Sequence, residues 1–328
     1  MDVSAMKVKN LCLALALGAF GCSTWAQPAG YPNKPVQIII GFAPGGAADI
    51  VARVMSIEFA KALGQPVVVD NKPGAGSSIA ASIVAKSRPD GYTLLIASPS
   101  SISVNPALNP NLGYTPRDLL PITKITTSPL VLAVNPATGI RSVNDLIAAA
   151  KKDPGKLNYS SSGNGSAPHL GAALFTLLTG TQLTHIPYKG GAPAIQSVIA
   201  GDTQVTFGTS PSVLPQAKGG RLLALAVSTR ERSPLVPELP GMKEAGLPEY
   251  NLEFWYGVFA PVGTPPDVVK KVYDATITAM KQSSVKEALA RDGTEVSLSA
   301  SPEQFNSFLA EDSKFWVNLV KSANVKID

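Results

Sequence analysis

Apolar and polar positions follow two patterns along this chain, that of a buried strand and that of an amphipathic helix, and the two patterns alternate. A short apolar run at residues 36–41 is typical of a buried strand, and residues 48–63 have the periodicity of an amphipathic helix. The apolar face of this helix is predicted to be Ile50, Val54, Ile57 and Ala60. A strand at residues 66–70, a helix at 77–87 and a strand at 93–97 follow. Such alternation predicts a parallel sheet with right-handed crossovers.

The same alternation returns after a proline-rich stretch at residues 98–121, which is predicted to be a polar loop. The later predicted strands cover residues 130–135, 157–160, 184–187, 204–208, 222–227 and 252–260. The later predicted helices begin near Ser142, Pro168, Pro193, Thr264 and Ser301, and a short helix is predicted around Pro215. The core face of the last helix is predicted to be Phe305, Phe308, Leu309, Trp316 and Leu319. A proline or a capping residue marks most of these helix starts.

The pattern therefore predicts an α/β fold with two lobes. The final helices are too few for a third domain, so we expect them to pack on the first lobe. The chain would then cross between lobes near residues 125–130 and again near 250–256. Lobe 1 is predicted to hold residues 27–127 plus 254–328, and lobe 2 residues 128–253. Two crossings make a hinge, and a hinge lets two lobes close on a ligand.

The N-terminus has the pattern of an export signal over residues 1–26. A positively charged start precedes an apolar run that is too short to span a bilayer. Small residues lead up to Ala26, so we expect cleavage after it. Translation from Met6 and a lipoprotein signal modified at Cys22 are the alternatives. The mature protein is expected to work outside the cytoplasm.

Composition narrows the function further. Both cysteines, Cys12 and Cys22, lie in the predicted signal, so the mature chain needs no disulfide. The net charge is +5 with 16% charged residues and no basic run, which argues against nucleic-acid binding. No other apolar run is long enough for a membrane span. With His169 and His185 as the only histidines and no Gly-x-Ser-x-Gly motif, we expect neither an enzyme nor a metal or other cofactor.

In open α/β sheets, ligands bind at the carboxyl ends of the strands, so the loops there carry the candidate site. The first loop follows the first predicted strand. Its glycines let the backbone approach a ligand, and the next helix offers its N-terminus to an anion. The candidate residues in this loop are Phe42, Ala43, Pro44, Gly45, Gly46 and Asp49. The alternative is an ordinary tight turn in which Asp49 caps the helix that follows.

The second candidate loop occupies the matching position in the other lobe. Its candidate residues are Ser162, Gly163, Asn164, Gly165, Ser166 and His169. Hydroxyl groups, open backbone and a helix start suit a carboxylate that is held between two helix N-termini across the cleft. Two further strand ends add Ser98, Ser100, Thr209 and Ser210. A structural role is the alternative for His169, and Lys189 beside another glycine turn is more simply solvated.

Several motifs, taken in order, resemble the Bug family of periplasmic solute-binding proteins, the receptors of tripartite tricarboxylate-type transporters. The motifs are YPNKPV at 31–36, FAPGG at 42–46 with Asp49, VDNKPGAG at 69–76, PDGYTL at 89–94, YKG at 188–190, WYGVFAP at 255–261 and GTP at 263–265. The family often has a hydroxyl residue at the position of Ala48, so the acid that fits is left open. Ser77 and Ser78 replace the family's usual Gly-Asn.

The resemblance implies a two-lobed periplasmic-binding-protein (Venus flytrap) fold, each lobe a mostly parallel sheet flanked by helices. It implies a monomeric receptor in the periplasm that binds a small organic acid (a di-, tri- or aromatic carboxylate). The receptor would deliver that acid to integral-membrane permease subunits, and its site would be the loop residues named above. A ligand sensor that presents its closed form to a membrane signalling partner is the alternative function, and an exported hydrolase is a more distant one.

Overall fold

The computed structural model describes residues 30–109 and 111–325. The predicted export signal, its cleavage after Ala26 and the alternative modification of Cys22 lie outside these residues. Residues 30–33 belong to a separate unit, and the fold described below is that of the unit that begins at Lys34.

Strands and helices alternate through this unit. The strands are β1 Val36–Ile40, β2 Val67–Asn71, β3 Thr93–Ala97, β4 Leu119–Val134, β5 Asn158–Ser161, β6 Thr184–Pro187, β7 Val205–Thr209, β8 Leu223–Val227, β9 Glu253–Pro261 and β10 Glu295–Val296. The helices are α1 Ala47–Leu63, α2 Ser78–Ala85, α3 Asn105–Leu108, α4 Val143–Lys152, α5 Ala167–Thr179, α6 Gly191–Ala200, α7 Ser210–Lys218, α8 Pro266–Met280, α9 Ser283–Ala290 and α10 Pro302–Ser322. Short 3-10 or π turns lie at Ala75–Ser77, Ser100–Val104, Pro116–Asp118 and Pro136–Thr138.

The strands form a continuous sheet in the order β2-β1-β3-β9-β4-β7-β5-β6, and β8 and β10 also pair with β4. Strand β4 passes through the whole arrangement. Its residues 119–129 pair with β9, and its residues 130–134 pair with β7 and β8. We call β1, β2, β3, β9, β10 and residues 119–129 the first half of the sheet, and the remaining strands with residues 130–134 the second half.

Each half has its own hydrophobic core. In the first half, Ile39, Leu95, Trp255, Phe259 and Phe305 are buried together. The cluster of the second half has the following members: Val131, Ala133, Ile195, Val198, Val213, Leu214, Leu222, Val227 and Val236. Separate cores suit a two-lobed protein, because each half keeps its packing when the other moves. The lobe boundaries themselves stay a prediction.

The predicted α/β class is confirmed, although the sheet contains more antiparallel pairing than expected. Parallel pairs join β1 to β2 and β3, and β5 to β6 and β7. Strands β4 and β9 are antiparallel to their neighbours, because both run back through the middle of the sheet.

The prediction of a polar loop at residues 98–121 is wrong. Residues 100–108 are helical and β4 begins at Leu119. Prolines caused the error, since Pro106 and Pro116 occupy the first positions of short helices, where proline is tolerated. Pro121 lies where the pairing of β4 with β9 shifts register, and proline is accepted at such irregularities.

The predicted core face of α1 is also wrong. Its buried side chains include Val51, Met55 and Phe59, whereas Ile57 is 62% exposed. Apolar residues occur on both sides of α1, so periodicity alone does not give the phase of the helix. The prediction for α10 is confirmed for Phe305, Leu309, Trp316 and Leu319, while Phe308 is half-buried; helix α9 was missed.

Candidate functional site

Four helix N-termini meet where the two halves face each other. Helices α1, α5, α6 and α7 follow the carboxyl ends of β1, β5, β6 and β7. Their N-cap residues are Gly46, Ser166, Gly190 and Thr209. The first N–H groups of a helix have no partner inside the helix, and the helix dipole gives that end a partial positive charge. The four ends therefore direct N–H donors and positive potential towards one place.

That place is a cavity of about 450 Å³, its mouth included. Its lining residues are Phe42, Gly46, Ala47, Ala48, Ser161, Ser162, Ala167, Pro168, Gly191, Ala194, Ile195, Thr206, Gly208, Thr209, Ser212, Phe254 and Tyr256. None of these described residues carries a charge. The donors are helix ends and hydroxyl groups, set among apolar side chains, as is usual for a small-molecule site.

A recess adjoins the cavity and shares Ser162 with it. The residues around the recess are Gly41, Gly74, Ala75, Gly76, Ser162, Gly163, Asn164, Pro187, Tyr188 and Lys189. Lys189 is exposed to solvent there, as the sequence suggested. Its backbone carbonyl accepts a hydrogen bond from the Ala43 N–H at 3.1 Å, which joins the loop after β1 to the turn after β6.

Glycines allow this close approach of the two halves. A Cβ atom on Gly190 would lie 2.8 Å from the Ala43 nitrogen, and one on Gly46 would lie 3.5 Å from the Gly191 nitrogen. A Cβ on Gly76 would collide with the Asn164 carbonyl oxygen. The loops of the two halves are therefore in contact around the cavity, as expected of a closed cleft.

Asp49 lies behind the first candidate loop and does not line the cavity. Its carboxylate accepts hydrogen bonds from the Gly45 N–H at 3.0 Å, from Arg53 at 3.0 Å and from Asn71 at 3.1 Å. The Asn71 amide also donates to the Phe42 carbonyl. Burial alone raises the pKa of Asp49, but these bonds outweigh it and hold that pKa below its usual range. Asp49 therefore shapes the loop that carries Phe42 and Gly46.

His169 has a similar place behind the second candidate loop. Its Nδ1 accepts the Gly165 N–H at 3.1 Å, and its ring stacks on His185 with the ring centroids 3.9 Å apart. Burial, with a smaller contribution from His185, lowers the pKa of His169 to about 3, so the ring is neutral and its Nδ1 stays an acceptor. Ser161, which lines the cavity, lies 2.6 Å from His185 Nε2.

Thr209 and Ser210 differ in role although they are neighbours. The Thr209 hydroxyl donates to Ser212 Oγ at 3.1 Å, and both residues line the cavity. The Ser210 hydroxyl donates to the Pro129 carbonyl at 2.7 Å and so ties the start of α7 to β4. Since the Ser212 oxygen already accepts a bond, its own proton is available to a ligand.

The predicted site residues therefore divide into four groups. Those on the cavity wall are Phe42, Gly46, Ser162 and Thr209, and those on the adjoining recess are Ser162, Gly163 and Asn164. Those that build the loops without lining either space are Ala43, Pro44, Gly45, Asp49, Gly165, Ser166, His169 and Ser210. Ser98 and Ser100 are buried outside both linings, and their hydroxyls have no hydrogen-bond partner among the described residues.

The sequence prediction missed several wall residues. These are Ala47, Ala48, Ser161, Ala167, Pro168, Gly191, Ala194, Ile195, Thr206, Gly208, Ser212, Phe254 and Tyr256. Glycine turns beside Gly191 and Gly208 were a usable signal. Phe254 and Tyr256 gave none, because alternate residues of an apolar strand look the same whether they face a core or a cavity.

No cluster of His, Cys, Asp and Glu among the described residues has the composition of a metal site. None of the helices in the same residues is both long and apolar enough to cross a membrane.

Comparison with known proteins confirms the resemblance seen in the sequence. Residues 51–325 match the model of the tripartite tricarboxylate transporter family receptor, TctC. Protein BugT of Bordetella pertussis is 37% identical, over 90% of this chain and 91% of its own length.

Solved structures agree with this. One described as a periplasmic transporter is 40% identical, with a TM-score of 0.87 over 91% of this chain and 100% of its own. The R. palustris protein Rpa4515 with adipate is 33% identical (TM-score 0.87; 90% and 99% covered), and MatC from Rhodopseudomonas palustris with bound malate is 31% identical (TM-score 0.84; 88% and 100% covered). The chain belongs to the tripartite tricarboxylate transporter receptor family, whose members are periplasmic solute-binding receptors with a two-lobed fold rather than enzymes.

Proposed function

We propose that this receptor captures a small organic carboxylate in the cavity between its halves and delivers it to a membrane permease. The observation that carries the proposal is the convergence of four helix N-termini on a cavity whose described lining has no charged side chain. A related chain bound to adipate and another bound to malate support a carboxylate as the ligand.

Helix N-termini suit a carboxylate that must be both bound and released. Each end offers N–H donors fixed by the backbone together with a partial positive charge, and helix ends bind anions without help from arginine. Inside an enclosed cavity these donors are partly desolvated, which strengthens their interaction with an anion. A neutral amide of the same shape lacks the charge and is expected to bind weakly.

The contacts around the cavity support closure as part of the function. Ala43 and Lys189 join the two halves by a backbone hydrogen bond, and glycines remove the side chains that would keep the halves apart. In the proposal, lobe 1 (residues 27–127 plus 254–328) and lobe 2 (residues 128–253) close on the acid. A bound ligand then stabilises the closed form by its differential affinity for it.

The proposal also includes export of the protein to the periplasm. Residues 1–26 act as the signal, cleavage occurs near Ala26, and the mature monomer works in the periplasm. The periplasmic description of a solved relative supports this location.

Thermal unfolding of the mature chain, residues 27–328, tests ligand capture. Dicarboxylic, tricarboxylic, aliphatic and aromatic acids are each compared with their own amides. A ligand at 100 times its Kd adds about 2.7 kcal/mol of stability, so the right acid should raise Tm by roughly 5 °C while its amide does not. If no acid stabilises the protein more than its amide, the proposal fails.

Delivery is tested in cells with the acid identified in that screen. Deletion of the gene should abolish uptake of the acid. Unchanged uptake with a lost transcriptional response would instead support the alternative, a ligand sensor that acts on a membrane signalling partner.

A further inference from the structure

Polar and apolar groups are divided unequally between the two sides of the cavity. The first half and the loops after its strands contribute Phe42, Gly46, Ala47, Ala48, Phe254 and Tyr256. The second half and its loops contribute the hydroxyl groups, which belong to Ser161, Ser162, Thr206, Thr209 and Ser212. On the first-half wall, as far as the structure describes it, the Tyr256 hydroxyl is the only polar side-chain group, and it is hydrogen-bonded with the Ala48 backbone.

The helix ends are divided in the same way. Helix α1 has Asp49 in its first turn, and that buried carboxylate already binds the Gly45 N–H and compensates the positive helix end. Two further N–H groups of this loop are engaged, since Ala43 donates to Lys189 and Gly46 to Ala43. The first turns of α5, α6 and α7, all within the described residues, contain no acidic residue.

The helix ends without an acidic residue, and the serine and threonine hydroxyls, therefore belong to the second half. Three uncompensated helix N-termini and the Ser212 hydroxyl face the cavity from that side. Opposite them, the rings of Phe42 and Phe254 and the methyl groups of Ala47 and Ala48 form an apolar wall. One carboxylate fits the first environment. A second carboxylate placed against the first-half wall would meet the Tyr256 hydroxyl as the one side-chain donor described there, beside a helix end that Asp49 already compensates. It would therefore lose most of its hydration without an equivalent set of donors, which is costly.

We propose that the ligand is a monocarboxylate: one carboxylate bound by the second half, on an aliphatic or aromatic body that packs against Phe42 and Phe254. This rests on the proposed function, because it divides the roles of the two cavity walls in capturing the acid. Ala48 is the wall position at which the family often has a hydroxyl residue.

Lys189 is the group that could reverse the preference. It is the cation of the adjoining recess, which meets the cavity at Ser162. A diacid that extended through this opening would keep its second carboxylate in water beside Lys189. Such binding would make Lys189 important for diacids and irrelevant for monoacids.

Calorimetric titration of the mature protein with acids matched in carbon skeleton tests the inference. The pairs are hexanoate with adipate and benzoate with terephthalate, with hexanamide and benzamide as neutral controls. We expect the monoacid of at least one pair to bind at least tenfold more tightly than its diacid and its amide. Tighter binding of the diacid in both pairs would overturn the inference and leave the proposed function intact, whereas acids that bind no better than amides would overturn both.

Two variants and one matched control keep the test specific to the wall. Ala48→Ser adds a hydroxyl to the first-half wall and should shift the affinity ratio towards the diacid. Ala52→Ser, one turn further along α1, buried and absent from the cavity lining, should leave the ratio unchanged. Lys189→Ala should change neither affinity. An equal ratio in the two serine variants, or a selective loss of diacid binding in Lys189→Ala, would contradict the monocarboxylate assignment.

Discussion

Ser212 offers the clearest single donor to a ligand. Its oxygen accepts the Thr209 hydroxyl proton at 3.1 Å, so the one proton of Ser212 is not needed for that bond. It lies in the first turn of α7, on the cavity wall. By contrast, the hydroxyl of Ser210, two residues earlier, donates its proton to the Pro129 carbonyl. In the proposal, the two serines of this helix turn therefore have different roles: Ser212 donates to the ligand, and Ser210 holds the helix start against β4.

Ser212→Ala should weaken binding of the carboxylate without unfolding the protein. A hydrogen bond to a charged group contributes about 1.5–3 kcal/mol, so we expect Kd to rise roughly 10- to 100-fold. Titration calorimetry with the tightest acid measures this. Ser197→Ala is the matched control, because Ser197 is a buried helix serine outside the cavity lining whose hydroxyl bonds to Ala194. Equal affinities in the two variants would exclude Ser212 as a donor.

Because the His169 ring is neutral in the folded protein, we expect the stability of the protein to depend on pH. Its pKa in the folded protein is about 3, against 6.5 when unfolded. Above pH 6.5 both states are neutral; below it the unfolded chain binds a proton that the folded ring does not, so stability falls as pH decreases. Each pH unit costs up to about 1.4 kcal/mol, or roughly 3 kcal/mol between pH 6.5 and pH 4.

His169→Asn keeps an acceptor for the Gly165 N–H but does not titrate. Urea unfolding at pH 7 and pH 4 should therefore show a smaller loss of stability for this variant than for the wild type. Both proteins share all other titratable groups, so the comparison removes the contribution of those groups to the pH dependence. One of them is Asp312: burial raises its pKa to about 6, so it acts in the opposite direction. An identical loss in both proteins would refute the assigned neutral role of His169.

At the scale of secondary structure, the site depends on loops that approach each other backbone to backbone. Gly76 and Asn164 come from different halves of the sheet and meet beside the cavity. Gly76 has a φ of +56°, and a side chain there would enter the space of the Asn164 carbonyl. Closure of the two halves therefore requires a residue without a side chain at Gly76, in addition to hydrogen bonds between the halves such as that from Ala43 to Lys189.

Gly76→Ala should weaken ligand binding by preventing full closure. Gly180→Ala is the matched control, because Gly180 has a φ of +62° and no atom within 4 Å of the added Cβ. Both variants should lose about 1 kcal/mol of stability from the left-handed backbone, and Gly76→Ala should lose more, because its Cβ would also lie 2.6 Å from Asn105 Nδ2. Only Gly76→Ala should also raise Kd, by about tenfold or more, in titrations with the same acid. A Kd unchanged in both variants would mean that closure tolerates the methyl group.

Most helices and strands could be predicted from apolar periodicity, since β3 and β6 match the predicted bounds and most others differ by one or two residues at either end. The exceptions have physical causes. Proline at Pro121 disguised the first part of β4, which the pairing with β9 stabilises despite the irregular register. The face of α1 depends on what packs against it, which is a property of the tertiary structure.

At the scale of the whole molecule, two segments join the halves, and a hydrogen-bond bridge ties them together. Ser228 Oγ accepts the Leu130 N–H at 2.8 Å and donates to the Leu252 carbonyl at 2.6 Å. These positions lie at or close to the two crossings expected from the sequence. The arrangement suits a hinge whose two segments bend together.

The loops around the cavity, which form the candidate site, could largely be predicted from the sequence, but the direction of each polar side chain could not. Glycines, hydroxyl residues and helix starts at strand ends indicate where an anion binds. Asp49 and Ser162 belong to the same kind of loop, yet Asp49 faces Gly45 and Arg53 while Ser162 faces the cavity. Such roles depend on contacts between segments far apart in sequence.

A crystal structure of the mature protein with the acid that raises Tm most tests the central claim most directly. The account predicts the carboxylate oxygens within hydrogen-bonding distance of Ser212 Oγ and of first-turn N–H groups of α5, α6 or α7, with the rest of the ligand against Phe42 and Phe254. A carboxylate bound by first-half groups, or an acid bound outside the cavity, would contradict it.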